Sequence, residues 1–228
     1  VRNAPMFLTA GNALLGVFAL YLILINQMEP VIYVILIGAV LDGIDGWAAR
    51  RMGVASPLGA SADMISDMIS FGIVPALMVA RVAGTNLGII AGALYLMAIA
   101  FRLIRFRFGQ GIERGFVGMP SPATALIVIA LATLASRNES AILLAGGGSI
   151  LASLLAVSKI IFPKWGHPAL MQLPKPVWVG IYIVHFVLLF FRPAEAVLSI
   201  MLIYLFLGPV LMHRYRLKYG ELNRAGVS

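Results

Sequence analysis

Cysteine is absent from this 228-residue chain, histidine occurs three times, and charged residues make up only 11% of it. The missing cysteine excludes a disulfide-stapled scaffold and a thiolate metal centre. It carries no information about redox compartment. The scarcity of charge accompanies 61% hydrophobic residues and a mean hydropathy of +0.98. That combination excludes a disordered chain, and also a water-soluble globule, in which apolar residues make up roughly half of the total. Acids are scarcer than bases, 9 against 17, for a net charge of +8. In a soluble protein such a balance points to nucleic acid. In a membrane protein it reports basic loops on one side and anionic lipid.

What the chain has in abundance is apolar runs. A membrane-spanning helix needs about 20 mostly apolar residues. Eight runs of that kind lie at about 6–26, 31–50, 59–80, 87–105, 121–136, 140–159, 176–191 and 194–213. The runs are continuous rather than alternating, which predicts helices and not a barrel. The expected fold is therefore an all-α polytopic bundle, a single membrane domain over 1–228. Only Arg137, Asn138 and Glu139 separate the fifth run from the sixth. The first run is too long for a signal-peptide core and has no small-residue cleavage site, so it is expected as a span.

Basic residues test this count. With the N-terminus inside, the inner segments hold Arg2, Arg50, Arg51, Arg102, Arg105, Arg107, Arg114, Lys159, Lys164, Lys175, Arg214, Arg216, Lys218 and Arg224. The outer segments hold Arg81, Arg137 and Arg192. Fourteen against three predicts an even number of spans with both termini cytoplasmic. It also removes nucleic acid as a partner, because the bases already have a topological reason.

Every aspartate lies between positions 42 and 67: Asp42, Asp45, Asp63 and Asp67. All four fall in, or at the cytoplasmic ends of, the second and third runs. The glutamates sit in loops, at span edges or in the tail. A carboxylate at membrane depth costs roughly 2.5–3.5 kcal/mol on insertion scales and is a functional candidate by default. Asp42 and Asp45 are spaced i,i+3, and Asp63 and Asp67 i,i+4, so each pair shares a helix face. Two facing helices would gather four like charges that repel strongly. Two divalent cations would balance them, and oxygen donors without nearby histidine favour Mg²⁺ or Mn²⁺. Paired metals suit displacement at phosphorus. The bland alternative pairs the acids with Arg50 and Arg51, but two arginines cannot neutralise four acids. Gly46, Ala49 and Gly59 are small residues that let a ligand or a helix approach closely.

The segment LDGIDGWAARRMGVASPLGASADMISDMISFG carries D-x-x-D-G-x-x-A-R, eight residues, then G-x-x-x-D-x-x-x-D. This resembles the signature of the CDP-alcohol phosphotransferase family at Asp42, Asp45, Gly46, Ala49, Arg50, Gly59, Asp63 and Asp67. The resemblance implies a six-helix core, to which this chain adds two helices, and a homodimer. It implies that Asp42, Asp45 and Asp63 hold one metal, and that Asp42, Asp63 and Asp67 hold or approach a second. Gly46 and Ala49 would leave room for the cytidine and ribose, with Arg50 in the same CDP-lipid site and Gly59 at the helix contact beside it. Asp67 would be the general base for an acceptor hydroxyl that attacks the lipid-linked phosphorus and releases CMP. The active site would face the cytoplasm at the cell membrane.

Three further stretches, TAGNALLG, SFGIVPA after Asp67, and FRLIRF followed by FVGMPSPA, resemble phosphatidylserine and archaetidylserine synthases. Met119, and the isoleucine of FRLIRF, are mild departures from that pattern. The implied substrates are L-serine and CDP-diacylglycerol or CDP-archaeol. Inositol phosphate and glycerol phosphate remain alternative acceptors. Arg102 and Arg105, i,i+3, are read either as a clamp on phosphate or acceptor carboxylate, or as topology alone. Thr9 and Asn12 reach the nucleotide or make an interhelical hydrogen bond. Ser70 lines the acceptor pocket or simply packs. Pro120 and Pro122 shape the loop around Ser121. Gly146, Gly147 and Gly148 read as helix packing rather than a phosphate loop, and His167, His185 and His213 as loop or packing residues. Lys159, Lys164, Trp165 and Lys175 read as an interfacial contact with membrane lipid. An intramembrane prenyltransferase would hold its two acidic motifs far apart. A cation transporter would often repeat its acids in a second half. The sequence shows neither pattern.

Overall fold

The computed structural model describes residues 4–53, 56–108, 115–138, 142–164, 167–170 and 174–225. The side chains of Ala49 and Arg50 lie outside the described set, as do Arg2, Glu113, Arg114, Glu139 and Trp165. Eight helices appear among the described residues, in register with the eight apolar runs. They are α1 Ala4–Leu24, α2 Met28–Arg51, α3 Pro57–Ala83, α4 Asn86–Phe108, α5 Ser121–Ser136, α6 Ile142–Val157, α7 Lys175–Phe191 and α8 Pro193–Ala225. Five of them (α1 to α4 and α8) are long and apolar enough to cross a membrane, and the other three are shorter apolar helices. The protein is an all-α polytopic membrane protein. One small addition was not legible in the sequence. Strands β1 (Phe116–Val117) and β2 (Ile161–Phe162) pair antiparallel, Phe116 opposite Phe162.

Local chemistry explains the helix ends. Asn26 takes φ 60 in the turn after α1, where the Gln27 N–H donates to Leu22 O at 2.8 Å. Asparagine tolerates that left-handed geometry better than most residues. Ser56 caps α3, its Oγ accepting from Gly59 N at 3.1 Å, and Pro57 occupies the first turn, where no N–H is needed. Gly84, at φ 58, closes the same helix. α8 runs on past the expected end at 213 to Ala225. Beyond the apolar stretch the chain stays rich in helix-forming Arg, Leu and Lys, so nothing stops the helix when it leaves the lipid.

Inside α3, Met68–Ile73 forms a π-helical turn directly after Asp67. Pro75 lacks the N–H that would bond Phe71 O in a regular α-helix, and the helix widens just before it. The buried Tyr95 hydroxyl donates to Phe71 O at 2.7 Å.

The core gathers around α5. Twelve of its sixteen residues are buried, because α2, α3, α4, α6 and α8 all pack on it. Gly148 faces it, where a Cβ would come 2.3 Å from Leu131 Cδ1. α7 is the opposite case. None of its residues is buried, and it packs chiefly on α8. Tyr33 of α2 adds a hydrogen bond to Leu189 O at 2.7 Å. Large apolar side chains such as Phe7, Leu14, Phe186 and Phe191 remain exposed, as a lipid-facing surface requires. At one end of the bundle Arg137 pairs with Glu29 at 2.6 Å and Glu195 at 3.1 Å, tying α2, α5 and α8 together. The aspartates lie at the other end.

Candidate active site

The end of α2 and the start of α3 bring their acids together. One carboxylate oxygen each from Asp42, Asp63 and Asp67 lies within 4.8 Å of the other two. All three residues are half-buried. Neither Asp42 nor Asp67 makes an ion pair with an arginine among the described residues. Three carboxylates this close, in a poorly solvated place, need a cation or a proton between them. The donor set is all oxygen, which fits a hard divalent ion. Asp45 stands one turn from Asp42 and is buried; its Oδ2 accepts the Thr9 hydroxyl at 2.7 Å. The structure thus gathers three of the four aspartates and ties the fourth to α1.

Helix α1 lines one side of the site. Asn12 is fully buried and approaches Asp67 Oδ1 through Nδ2 at 3.5 Å, a long hydrogen bond. Its Oδ1 is buried with no hydrogen-bond partner among the described residues. Ser66 and Ser70, flanking Asp67 on α3, donate to Thr9 O at 3.1 Å and Asn12 O at 3.0 Å. Two helices can come this close only over a small residue. A Cβ on Gly16 would come 2.6 Å from Ser70 Oγ and 2.9 Å from Ile69 Cγ2. Thr9, Asn12 and Ser70 therefore act in this structure as interhelical links that hold acid-bearing segments. Gly46 is half-buried on α2 next to Asp45, and Gly59 gives its N–H to the Ser56 cap.

Arg102 and Arg105 face the loop between α4 and α5. Arg102 is only 5% exposed. Its Nε donates to Met119 O at 2.7 Å and its Nη1 to Ser121 Oγ. No acceptor among the described residues takes the Nη2 hydrogens. Among the carboxylates, Asp67 acts most strongly on this guanidinium. Arg105 has a different set of partners. Its Nη1 donates to Val157 O at 2.9 Å, and its Nη2 to Val117 O at 2.8 Å and to Ala156 O and Ser158 O at 3.4 Å. Arg105 thereby satisfies carbonyls left open at the C-terminal end of α6, where a cation also suits the helix dipole. Gly118 makes this junction possible. Its φ is 78, and a Cβ there would come 2.2 Å from Ala156 O.

Sequence reasoning missed Ser66 and Tyr95 as site-supporting residues. The only available signal was a lone hydroxyl within an apolar run, which is weak. An open cavity of about 760 Å³ at the opposite end, lined by Glu29, Arg81 and Arg137 among others, is a poor rival. Its carboxylate is already paired with Arg137.

With this geometry in view, similarity to known proteins is informative. A CDP-diacylglycerol–serine O-phosphatidyltransferase of Methanocaldococcus jannaschii is 31% identical over 89% of this chain and 90% of its own length. The protein of the same name from Bacillus subtilis is 32% identical over 76% of this chain and 97% of its own. An archaetidylserine synthase of Methanothermobacter thermautotrophicus is 29% identical over 70% of this chain and 69% of its own. The family model described as CDP-alcohol phosphatidyltransferase matches residues 2–165, which contain α1 to α6, both strands and every residue of the acid cluster. The chain belongs to the CDP-alcohol phosphatidyltransferase family.

Proposed function

We propose that this protein transfers the lipid-phosphate group of a CDP-lipid, CDP-diacylglycerol or CDP-archaeol, to the hydroxyl of L-serine and releases CMP. The observation that carries the reading is the convergence of Asp42, Asp63 and Asp67 within 4.8 Å of one another. The names of the relatives support serine as the acceptor.

Asp42, Asp45, Asp63 and Asp67 would hold two divalent cations, Mg²⁺ or Mn²⁺. When bound, such ions offset the pyrophosphate charge and stabilise the leaving oxygen. Asp67 takes the proton from the serine hydroxyl. General base catalysis of this kind is worth about 10²–10⁴-fold. As that proton leaves, the serine oxygen bonds to the lipid-linked phosphorus. The bond to the other phosphate breaks, and CMP departs with the electron pair. Asn12 orients Asp67, and Thr9 orients Asp45. Gly46, Ala49, Arg50 and Gly59 form the CDP-lipid side, with Thr9 and Asn12 behind it. Arg102 binds the serine carboxylate through its open Nη2 edge, for which a guanidinium is well shaped. Arg105 and Ser70 support this acceptor wall from behind.

The sequence pattern assigns fourteen of the seventeen basic residues to the same side as the acids. That supports a cytoplasmic site, with both termini on the same side. Because the chain has no cysteine, single introduced cysteines and an impermeant thiol reagent test this orientation directly. The family resemblance supports a homodimer, which cross-linking in native membranes tests. For the reaction itself, CMP release is measured with Mg²⁺ against serine, inositol phosphate, glycerol phosphate and no acceptor. Release only with serine, lost in Asp67→Asn and on chelation, is the expected result. Release with another acceptor alone would replace serine, and uptake of cations without CMP release would favour a transporter.

A further inference from the structure

The family match stops at residue 165, whereas α8 starts at Pro193. Even so, α8 reaches the acceptor side of the site. The Tyr204 hydroxyl donates to Pro163 O at 2.9 Å. Its ring lies 5.7 Å from the Phe162 ring, tilted by 33°. One turn on, Gly208 leaves room for Pro163, since a Cβ there would come 3.2 Å from Pro163 Cδ. Pro163 follows β2, which pairs with β1. β1 runs straight into Gly118 and Met119, whose N–H groups donate to Ile160 O at 2.8 Å and Leu155 O at 3.0 Å. Met119 O in turn accepts from Arg102 Nε at 2.7 Å. Contacts therefore run unbroken from α8 through the two strands to Arg102. Each strand has only two residues, so the ladder needs support from outside to hold its place.

We infer that Tyr204 is a positioning residue for the acceptor. By holding Phe162 and Pro163 it fixes the β1–β2 ladder, and through Met119 it fixes the open edge of Arg102. The inference rests on the acceptor reading proposed above. It makes a helix outside the matched stretch part of the specificity apparatus.

The test uses the full-length protein in lipid nanodiscs with Tyr204→Phe, which removes only the hydroxyl, and Gly208→Ala, which pushes on Pro163 from the same helix. In both variants the KM for serine should rise roughly three- to tenfold, the range of one neutral hydrogen bond. The KM for CDP-lipid and kcat at saturating serine should stay near wild type. Hydrogen exchange at the Gly118 and Met119 amides should quicken. An unchanged serine KM, or an equal rise in both KM values, overturns the inference. If wild type releases no CMP with serine, the acceptor reading fails instead. The Gly118 and Met119 exchange rates then decide whether Tyr204 holds the ladder, and unchanged rates overturn that too.

Discussion

Replacing Arg102 with lysine separates charge from shape at the acceptor wall. The wild-type guanidinium uses Nε on Met119 O and Nη1 on Ser121 Oγ, and leaves Nη2 without an acceptor among the described residues. A lysine ammonium is one nitrogen on a flexible stem, and it cannot hold both loop atoms and still present a flat edge. The positive charge stays, so attraction of the phosphates is largely retained. What goes is one hydrogen bond between ionised groups, worth about 1.5–3 kcal/mol. Because each 1.36 kcal/mol is a factor of ten, kcat/KM for serine should fall roughly 10- to 150-fold. The KM for CDP-lipid should change by less than about threefold, since the charge is conserved. The assay is CMP release at saturating CDP-lipid with serine varied, repeated with ethanolamine, which has no carboxylate. Wild type should prefer serine, and Arg102→Lys should lose that preference. Ser121→Ala is the control. It strips the Nη1 partner at a cost of about 1–3 kcal/mol in stability but leaves Nη2 in place, so serine preference should survive. A folded Arg102→Lys protein with unaltered serine KM would refute the carboxylate assignment.

Four other substitutions probe the acids and their supports. Asp63→Asn should weaken Mn²⁺ binding at least about tenfold in a spectroscopic titration, because a neutral amide replaces one of three clustered carboxylates; equal affinity would remove Asp63 from the ligand set. Tyr95→Phe takes the donor from Phe71 O beside the π turn. It should cost about 1 kcal/mol, read as a lower melting temperature in detergent, and no shift would show that this hydroxyl does not steady the turn. Gly118→Ala forces a side chain into φ 78 and to 2.2 Å from Ala156 O, so both stability and activity should drop. Gly53→Ala has a similar φ of 63 but open space, so it should show only the conformational cost of about 1–2 kcal/mol. Equal effects at the two glycines would contradict the close packing at 118.

The linear sequence determined the number of helices seen among the described residues, their approximate limits and the position of the acids. Lipid offers backbone groups no partners, so an apolar run in a membrane must be helical, and eight such runs are visible to inspection. The i,i+3 and i,i+4 spacings put each acid pair on one helix face for the same local reason. The helix that ends at Ser136 and the one that starts at Ile142 are separate, as the short polar interruption between the two runs predicts. Tertiary structure alone decided which partner each polar group meets. Thr9 reaches Asp45 across 36 residues, Arg105 reaches Val157 across 52, and Tyr204 reaches Pro163 across 41. Arg102 and Arg105 look alike in FRLIRF, yet one holds Met119 and Ser121 and the other closes the end of α6. Spacing within a helix sets which face a side chain shares with its neighbours. Only the packing of distant helices sets what lies opposite that face, and the acceptor wall is built from such contacts.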